Sequence, residues 1–224
     1  MGRGRSAGYD GQRDAILERA AALFARHGYV GTSMNQVAEA CGLSKATLYH
    51  YFRDKYALLV SIAESHVTRL EALVDEVRAQ RLAPADELRA LILRIVAEYA
   101  DAQDAHRVLT EDVRFLSDAD RERVIGTERR VVAGFARAIA AWQPAQAEAG
   151  LATPLTMLLF GMINWLFTWM RPERGLDHAA IAPIVADLFA GGVPAVRPPP
   201  AKAPATTRSR APASRRARAS ATTP

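Results

Sequence analysis

One cysteine, Cys41, stands alone in a chain of 224 residues. No intramolecular disulfide can brace the fold, and a reducing compartment suits it. Long apolar runs are also missing. The longest, Leu155 to Met170, is interrupted by Thr156 and Asn164 and falls short of the roughly 20 residues that a membrane span requires, so it reads as a buried helix. The N-terminus, MGRGRSAGYDGQRD, carries charge without an apolar stretch behind it, which excludes a secretory signal. A cytoplasmic protein with no membrane partner is expected. No segment alternates apolar and polar residues as a half-buried strand does, and no internal repeat appears. Catalytic groupings are lacking too: no Gly-rich phosphate loop, no nucleophile beside a base, no metal-ligand spacing. His106 and His178 have no metal-spaced partners, and the adjacent Glu111 and Asp112 point in different directions on a helix. Neither enzymatic activity nor a cofactor is expected.

What is present favours helices. Half the residues are hydrophobic, aromatics make up 7%, and Ala, Leu, Arg and Glu dominate. An all-α fold of about nine helices follows from the apolar periodicity and the breakers. The expected spans are Arg13 to His27, Ser33 to Ala40, Lys45 to Tyr51, Lys55 to Arg81, Ala85 to Asp101, His106 to Leu116, Ala119 to Trp142, Pro154 to Met170, and Asp177 to Ala190. Gly28 stops the first helix. Ser33 and Gln36 form a capping box for the second, Ser44 caps the third, Pro84 suits a first-turn position, and Asp177 caps the last.

The net charge of +5 is unevenly distributed. Residues 1–55 carry +3, residues 56–196 carry −5, and the stretch from Arg197 onward holds seven basic residues and no acid. Basic ends suggest nucleic acid, while an acidic middle argues against a body lying along DNA. Four segments are expected: a flexible basic arm (1–11), a DNA-binding unit (12–58), a helical ligand-binding and dimerisation unit (59–192), and a disordered basic tail (193–224) that cannot bury a core.

Three short helices with a tight turn between the second and third form a helix-turn-helix arrangement. Its recognition helix needs an apolar inner face, a donor-bearing outer face and a capped start. Lys45-Ala46-Thr47-Leu48-Tyr49-His50-Tyr51-Phe52 meets these needs. Leu48 and Phe52, i and i+4, face inward toward Ile16, Phe24, Val37 and Ala38. Lys45, Thr47, Tyr49 and His50 face outward, where they can bond phosphates or touch a thymine methyl.

The run from Gly31 to Leu59, GTSMNQVAEACGLSKATLYHYFRDKYALL, closely resembles the signature of the TetR/AcrR family of transcriptional regulators. The resemblance extends from Arg13 to Leu59. It implies a homodimeric repressor that binds double-stranded operator DNA and leaves it when a small-molecule effector binds. It further implies phosphate contacts by Thr32 or Ser33 with the start of the second helix, and by Lys55; DNA contacts by Ser44, Lys45, Thr47, Tyr49 and His50; and a part-packing, part-backbone role for Tyr51.

The rest of the chain speaks less directly. The family places an effector among the middle helices and builds its dimer from the last two long ones, here Pro154–Met170 and Asp177–Ala190. The segment Gly161 to Leu176, GMINWLFTWMRPERGL, resembles one in regulators of fatty-acid, steroid and aromatic-acid breakdown, which respond to acyl-CoA thioesters. An apolar pocket lined by Tyr99, Phe115, Met162, Asn164, Trp165 and Trp169 is the corresponding expectation, with Arg171 and Arg174 available to CoA phosphates. Core or dimer packing is the alternative role for Trp165 and Trp169, and packing is the expected role of Cys41. A second function remains open: architectural, sequence-blind DNA binding led by the basic tail.

Overall fold

The computed structural model describes residues 7–170 and 177–197. Ten α-helices and no strand occur among them: α1 (Ala7–Gly31), α2 (Met34–Ala40), α3 (Lys45–Tyr51), α4 (Lys55–Ala79), α5 (Pro84–Asp101), α6 (Gln103–Asp112), α7 (Asp118–Trp142), α8 (Pro144–Glu148), α9 (Ala152–Trp169) and α10 (His178–Gly192). Short 3-10 turns at Val113–Phe115 and Val193–Ala195 follow α6 and α10.

The local signals act where they stand. The Ser33 hydroxyl accepts from Gln36 N–H while Ser33 N–H donates to Gln36 Oε1 (2.8 Å). Ser44, Asp54, Ser117 and Asp177 each cap the following helix through a side-chain oxygen. Pro84 occupies the first turn of α5, where its missing N–H costs nothing.

Four expectations need correction. Residues 7–11 are not a flexible arm but the opening turns of α1, held there because the Tyr9 ring stacks on Tyr51 at 4.7 Å. The Gln143-Pro144 break opens a tenth helix, α8, since proline is tolerated at a helix start. The span expected at His106–Leu116 is α6 followed by a 3-10 corner. The fold also continues past 192. Val193 is buried, and the Gln146 amide donates to the carbonyls of Val193 (3.3 Å) and Val196 (2.9 Å). The first six residues, Arg171, Arg174 and the stretch 198–224 lie outside the described residues.

Two apolar cores divide within α4, between Val67 and Leu70. The first joins α1, α2, α3 and the opening half of α4 to Val108 and Leu109 of α6, Leu116, and Val124 of α7. The second joins the rest of α4 to α5, α7, α9 and α10. At the division, fully buried His66 of α4 meets His106 of α6, ring nitrogen to ring nitrogen, at 3.3 Å. Tyr99 of α5 stacks on His106 at 3.8 Å between centroids. Burial, the neighbouring His106 and Arg69 push the His66 pKa down to about 3. Burial alone pushes His106 down to about 4. Both rings are therefore neutral at ordinary pH.

Candidate DNA-binding face and effector cavity

The seven residues of α3 split as their spacing requires. Leu48 is buried and Phe52, its C-cap, closes the same core. Lys45, Thr47, Tyr49 and His50 are exposed, Tyr49 at 43%. Lys45 Nζ lies 6.0 Å from the Tyr49 ring centroid, so a cation and an amphipathic ring project together. Ser44 Oγ accepts from Thr47 N–H at 3.1 Å and shares a 2.8 Å bond with the Thr47 hydroxyl. Half-buried Tyr51 is clamped by Tyr9, whose ring also meets His50 edge-on at 6.2 Å. Tyr9 is a member of this face that the sequence reading missed; its one signal is an aromatic residue in an otherwise Gly-rich arm.

Two residues expected at phosphate, Thr32 (as an alternative to Ser33) and Lys55, have backbone partners within the chain. Thr32 is only 2% exposed, and its hydroxyl lies against the carbonyls of Gly28 (3.0 Å) and Leu23 (3.3 Å) at the end of α1. Lys55 Nζ donates to the carbonyls of Tyr29 (2.7 Å), Thr32 (2.8 Å) and Val30 (3.3 Å), and it sits 4.5 Å from the Tyr29 ring centroid. An ammonium has three N–H donors, and three carbonyls take them. Lys55 thus neutralises the negative end of α1 and fixes the turn into α2. Gly28 permits that turn: at φ 75°, ψ 156° it holds a conformation essentially reserved for glycine. Ser33, by contrast, is exposed at the start of α2.

An apolar cavity of about 530 Å³ opens beside α7. Leu109, Val131, Val132, Met157 and Phe160 give it apolar walls, and Tyr99, His106, Thr110, Glu128 and Asn164 give it polar points. Tyr99 and Asn164 were expected there. Phe115, Met162, Trp165 and Trp169 are not in the lining. Phe115 sits at the 3-10 corner and packs on Tyr29 at 5.3 Å. Met162 packs against the second core. Trp165 and Trp169 point outward, 65% and 50% exposed, because they occupy the side of α9 opposite Leu159, Ile163 and Leu166. Leu158 of α9 shares that exposed side, and Ile184 and Leu188 are exposed on α10. Glu128 and His66 had no sequence signal, since both depend on which helices meet. Burial raises the Glu128 pKa; burial and the nearby Glu128 raise that of Tyr99.

α6 touches both regions. His106, Leu109 and Thr110 face the cavity, while Val108 and Leu109 belong to the first core. Its 3-10 extension carries Phe115 to Tyr29, and Tyr29 holds Lys55. A second tie runs from α4 to α7. The Tyr56 hydroxyl donates to Asp120 and accepts from Ser117 N–H at 2.8 Å. Hydrogen bonds from Tyr56, Ser117 and Arg123 hold the Asp120 carboxyl down to about 2.

Comparison with known proteins gives a consistent result. Residues 16–62 match the bacterial regulatory proteins of the tetR family, and residues 81–193 match a tetracyclin repressor-like C-terminal domain. A TetR-family transcriptional regulator from Bordetella parapertussis is 34% identical, with TM-score 0.75, over 83% of this chain and 97% of its own. AibR, solved in complex with isovaleryl coenzyme A and operator DNA, is 26% identical with TM-score 0.67, over 79% of this chain and 97% of its own. The transcriptional repressor AcnR of Corynebacterium glutamicum is 38% identical over 64 residues, which are 29% of this chain and 34% of that repressor's length.

Proposed function

Because the chain belongs to the tetR family of bacterial regulatory proteins, we propose that it is a homodimeric repressor that binds operator DNA through the outer face of α3 and is released by a small apolar effector in the cavity beside α7. The observation that carries this reading is the double duty of α6, which lines the cavity and packs in the core of the DNA-binding helices. A molecule wedged against Leu109 and Thr110 displaces α6, and with it Phe115 and the Tyr29–Lys55–Thr32 turn that aims α2 and α3. Release requires that the effector prefer the displaced arrangement, because equal affinity for both arrangements shifts nothing.

Within the recognition unit, Lys45, Thr47, Tyr49 and His50 meet DNA, with Ser33 and Ser44 toward the backbone. The dimer forms through the exposed strip of Leu158, Trp165, Ile184 and Leu188. A strip of large apolar side chains along two helices needs a cover, and a second copy supplies an isologous one. α9 carries both this strip and part of the cavity wall, so effector and dimer geometry share one helix. An acyl-CoA effector is supported by AibR and by the Trp/Met-rich segment beginning at Gly161; the cavity would take the acyl part.

The test is fluorescence anisotropy on a DNA complex titrated with isovaleryl-CoA, other CoA thioesters and the matching free acids. Release by a thioester at micromolar concentration is expected. Release only by unrelated compounds would remove the thioester class, and the absence of any saturable, sequence-selective DNA complex would remove the repressor reading.

A further inference from the structure

Two acceptors in the cavity lining stand without a donor among the described residues. Glu128 of α7 lines it, half-buried, and no hydrogen bond or ion pair reaches its carboxylate among the described residues. The arginines that follow it are engaged elsewhere: Arg129 donates to Glu122 at 2.6 Å, and Arg130 to Glu71 and Thr127. Asn164 Oδ1, on α9, is sealed from solvent without a donor. The Thr110 hydroxyl turns its proton back toward the carbonyls of His106 and Arg107, which leaves an oxygen to accept. His106 is kept neutral by burial, so it brings no positive charge. The Tyr99 hydroxyl and the Arg129 guanidinium also line the chamber, yet among the described residues no hydrogen bond joins either of them to Glu128 or to Asn164 Oδ1. An unmet buried acceptor is costly, and the burial that raises the Glu128 pKa is the same cost seen as a penalty on its charged form.

We propose that the cavity takes an apolar molecule whose buried end carries a hydrogen-bond donor, a hydroxyl or a protonated amine, received by the Glu128 carboxylate and Asn164. This rests on reading the cavity as the effector site. It narrows that reading: a plain alkyl acyl group leaves Glu128 unmet, a carboxylate placed there meets like charge, and a hydroxylated or amino-bearing body satisfies it. The walls of Leu109, Val131 and Phe160 then hold the apolar remainder.

Four probes with one body and different heads separate these outcomes: phenylbutylamine, phenylbutanol, phenylbutyrate and butylbenzene, titrated into the full chain by calorimetry. The amine and the alcohol should bind more tightly than butylbenzene, the amine by about tenfold, as a charge-assisted bond allows. Phenylbutyrate should bind most weakly. Glu128→Gln, which keeps the volume, should erase most of the amine's advantage and improve phenylbutyrate. Asn164→Ala, a second variant whose folding does not depend on Glu128, should weaken both donor-bearing probes. A preference for phenylbutyrate, failure of both donor-bearing probes to outbind butylbenzene, or an unchanged ranking in Glu128→Gln would overturn the proposal. Anisotropy with bound DNA keeps the two readings apart. Donor-selective binding that never releases DNA upholds the head-group preference and overturns the effector role.

Discussion

The DNA-binding head and the cavity region are both helical and both closed around an apolar core, yet they are specified differently. The head is built from neighbours in sequence. Ser33 caps with Gln36, Ser44 with Thr47, and Leu48 reaches the core one turn before Phe52. The cavity takes Tyr99 from α5, His106 from α6, Glu128 from α7 and Asn164 from α9, so its chemistry exists only after the helices have met. A local site can be read before folding, whereas an assembled one cannot. The two regions touch through the neutral pair His66 and His106, through Phe115 on Tyr29, and through Tyr56 on Asp120.

The largest expected effect lies at that junction. The folded pKa values of His66 and His106, about 3 and 4, are below the roughly 6.5 of an unfolded histidine. The unfolded chain therefore gains protons first as pH falls, and stability decreases with falling pH. It is complete above about pH 6.5 and is lost progressively toward pH 4, by about 1.4 kcal/mol per pH unit for each ring, or about 4 kcal/mol at pH 5 for the pair. Thermal melts from pH 8 to pH 5 should show this slope, and His66→Leu should reduce it to about half. An unchanged slope in that variant would mean the rings are not the neutral fastening described here.

Next come two substitutions one residue apart. Leu48→Ala removes a fully buried side chain from the head and should cost about 2–5 kcal/mol of stability, read from denaturant melts. Tyr49→Ala should leave melting nearly unchanged and weaken DNA binding by about 1–3 kcal/mol. If Tyr49→Ala unfolds the protein while binding per folded molecule holds, the outward assignment of α3 is wrong. The smallest effect belongs to Lys55→Met, which strands carbonyls at the end of α1. It should lower stability by about 1–2 kcal/mol, and the salt slope of DNA binding separates two roles: an unchanged slope places the ammonium on its carbonyls in the complex as well, and a slope reduced by about 0.9 places it on a phosphate.

The same contrast explains what was legible in the sequence. Helix order, caps and the inner and outer faces of α3 follow from spacing, and spacing is local. Thr32 or Ser33, and Lys55, were assigned to phosphate by the family resemblance; the partners of Thr32 and Lys55 within the chain, the carbonyls of Leu23, Gly28 and Tyr29, could not be foreseen because backbone groups carry no residue-type signature. Trp165 and Trp169 were placed at the pocket by resemblance, with core or dimer packing as the alternative, and the sequence pattern of an apolar helix does not reveal which side faces inward. Residues 7–11 read as a loop because glycines at 8 and 11 weaken the helical pattern, and only the distant Tyr51 pins Tyr9. His66 and Glu128 had no pattern to betray them, since their roles come from α4 meeting α6 and α7 meeting α9.

The central claim is that sequence preference resides in the outer face of α3, presented twice by a two-fold dimer. Selection of bound sites from a random double-stranded DNA pool by the full chain, with sedimentation of the recovered complex, tests it directly. The account predicts a two-fold consensus whose half-sites lie about 34–36 Å apart or somewhat farther, two protomers per site, and loss of the consensus with Tyr49→Ala. Recovery of DNA without any consensus, bound in proportion to charge and abolished by salt alone, would contradict it and favour architectural binding instead.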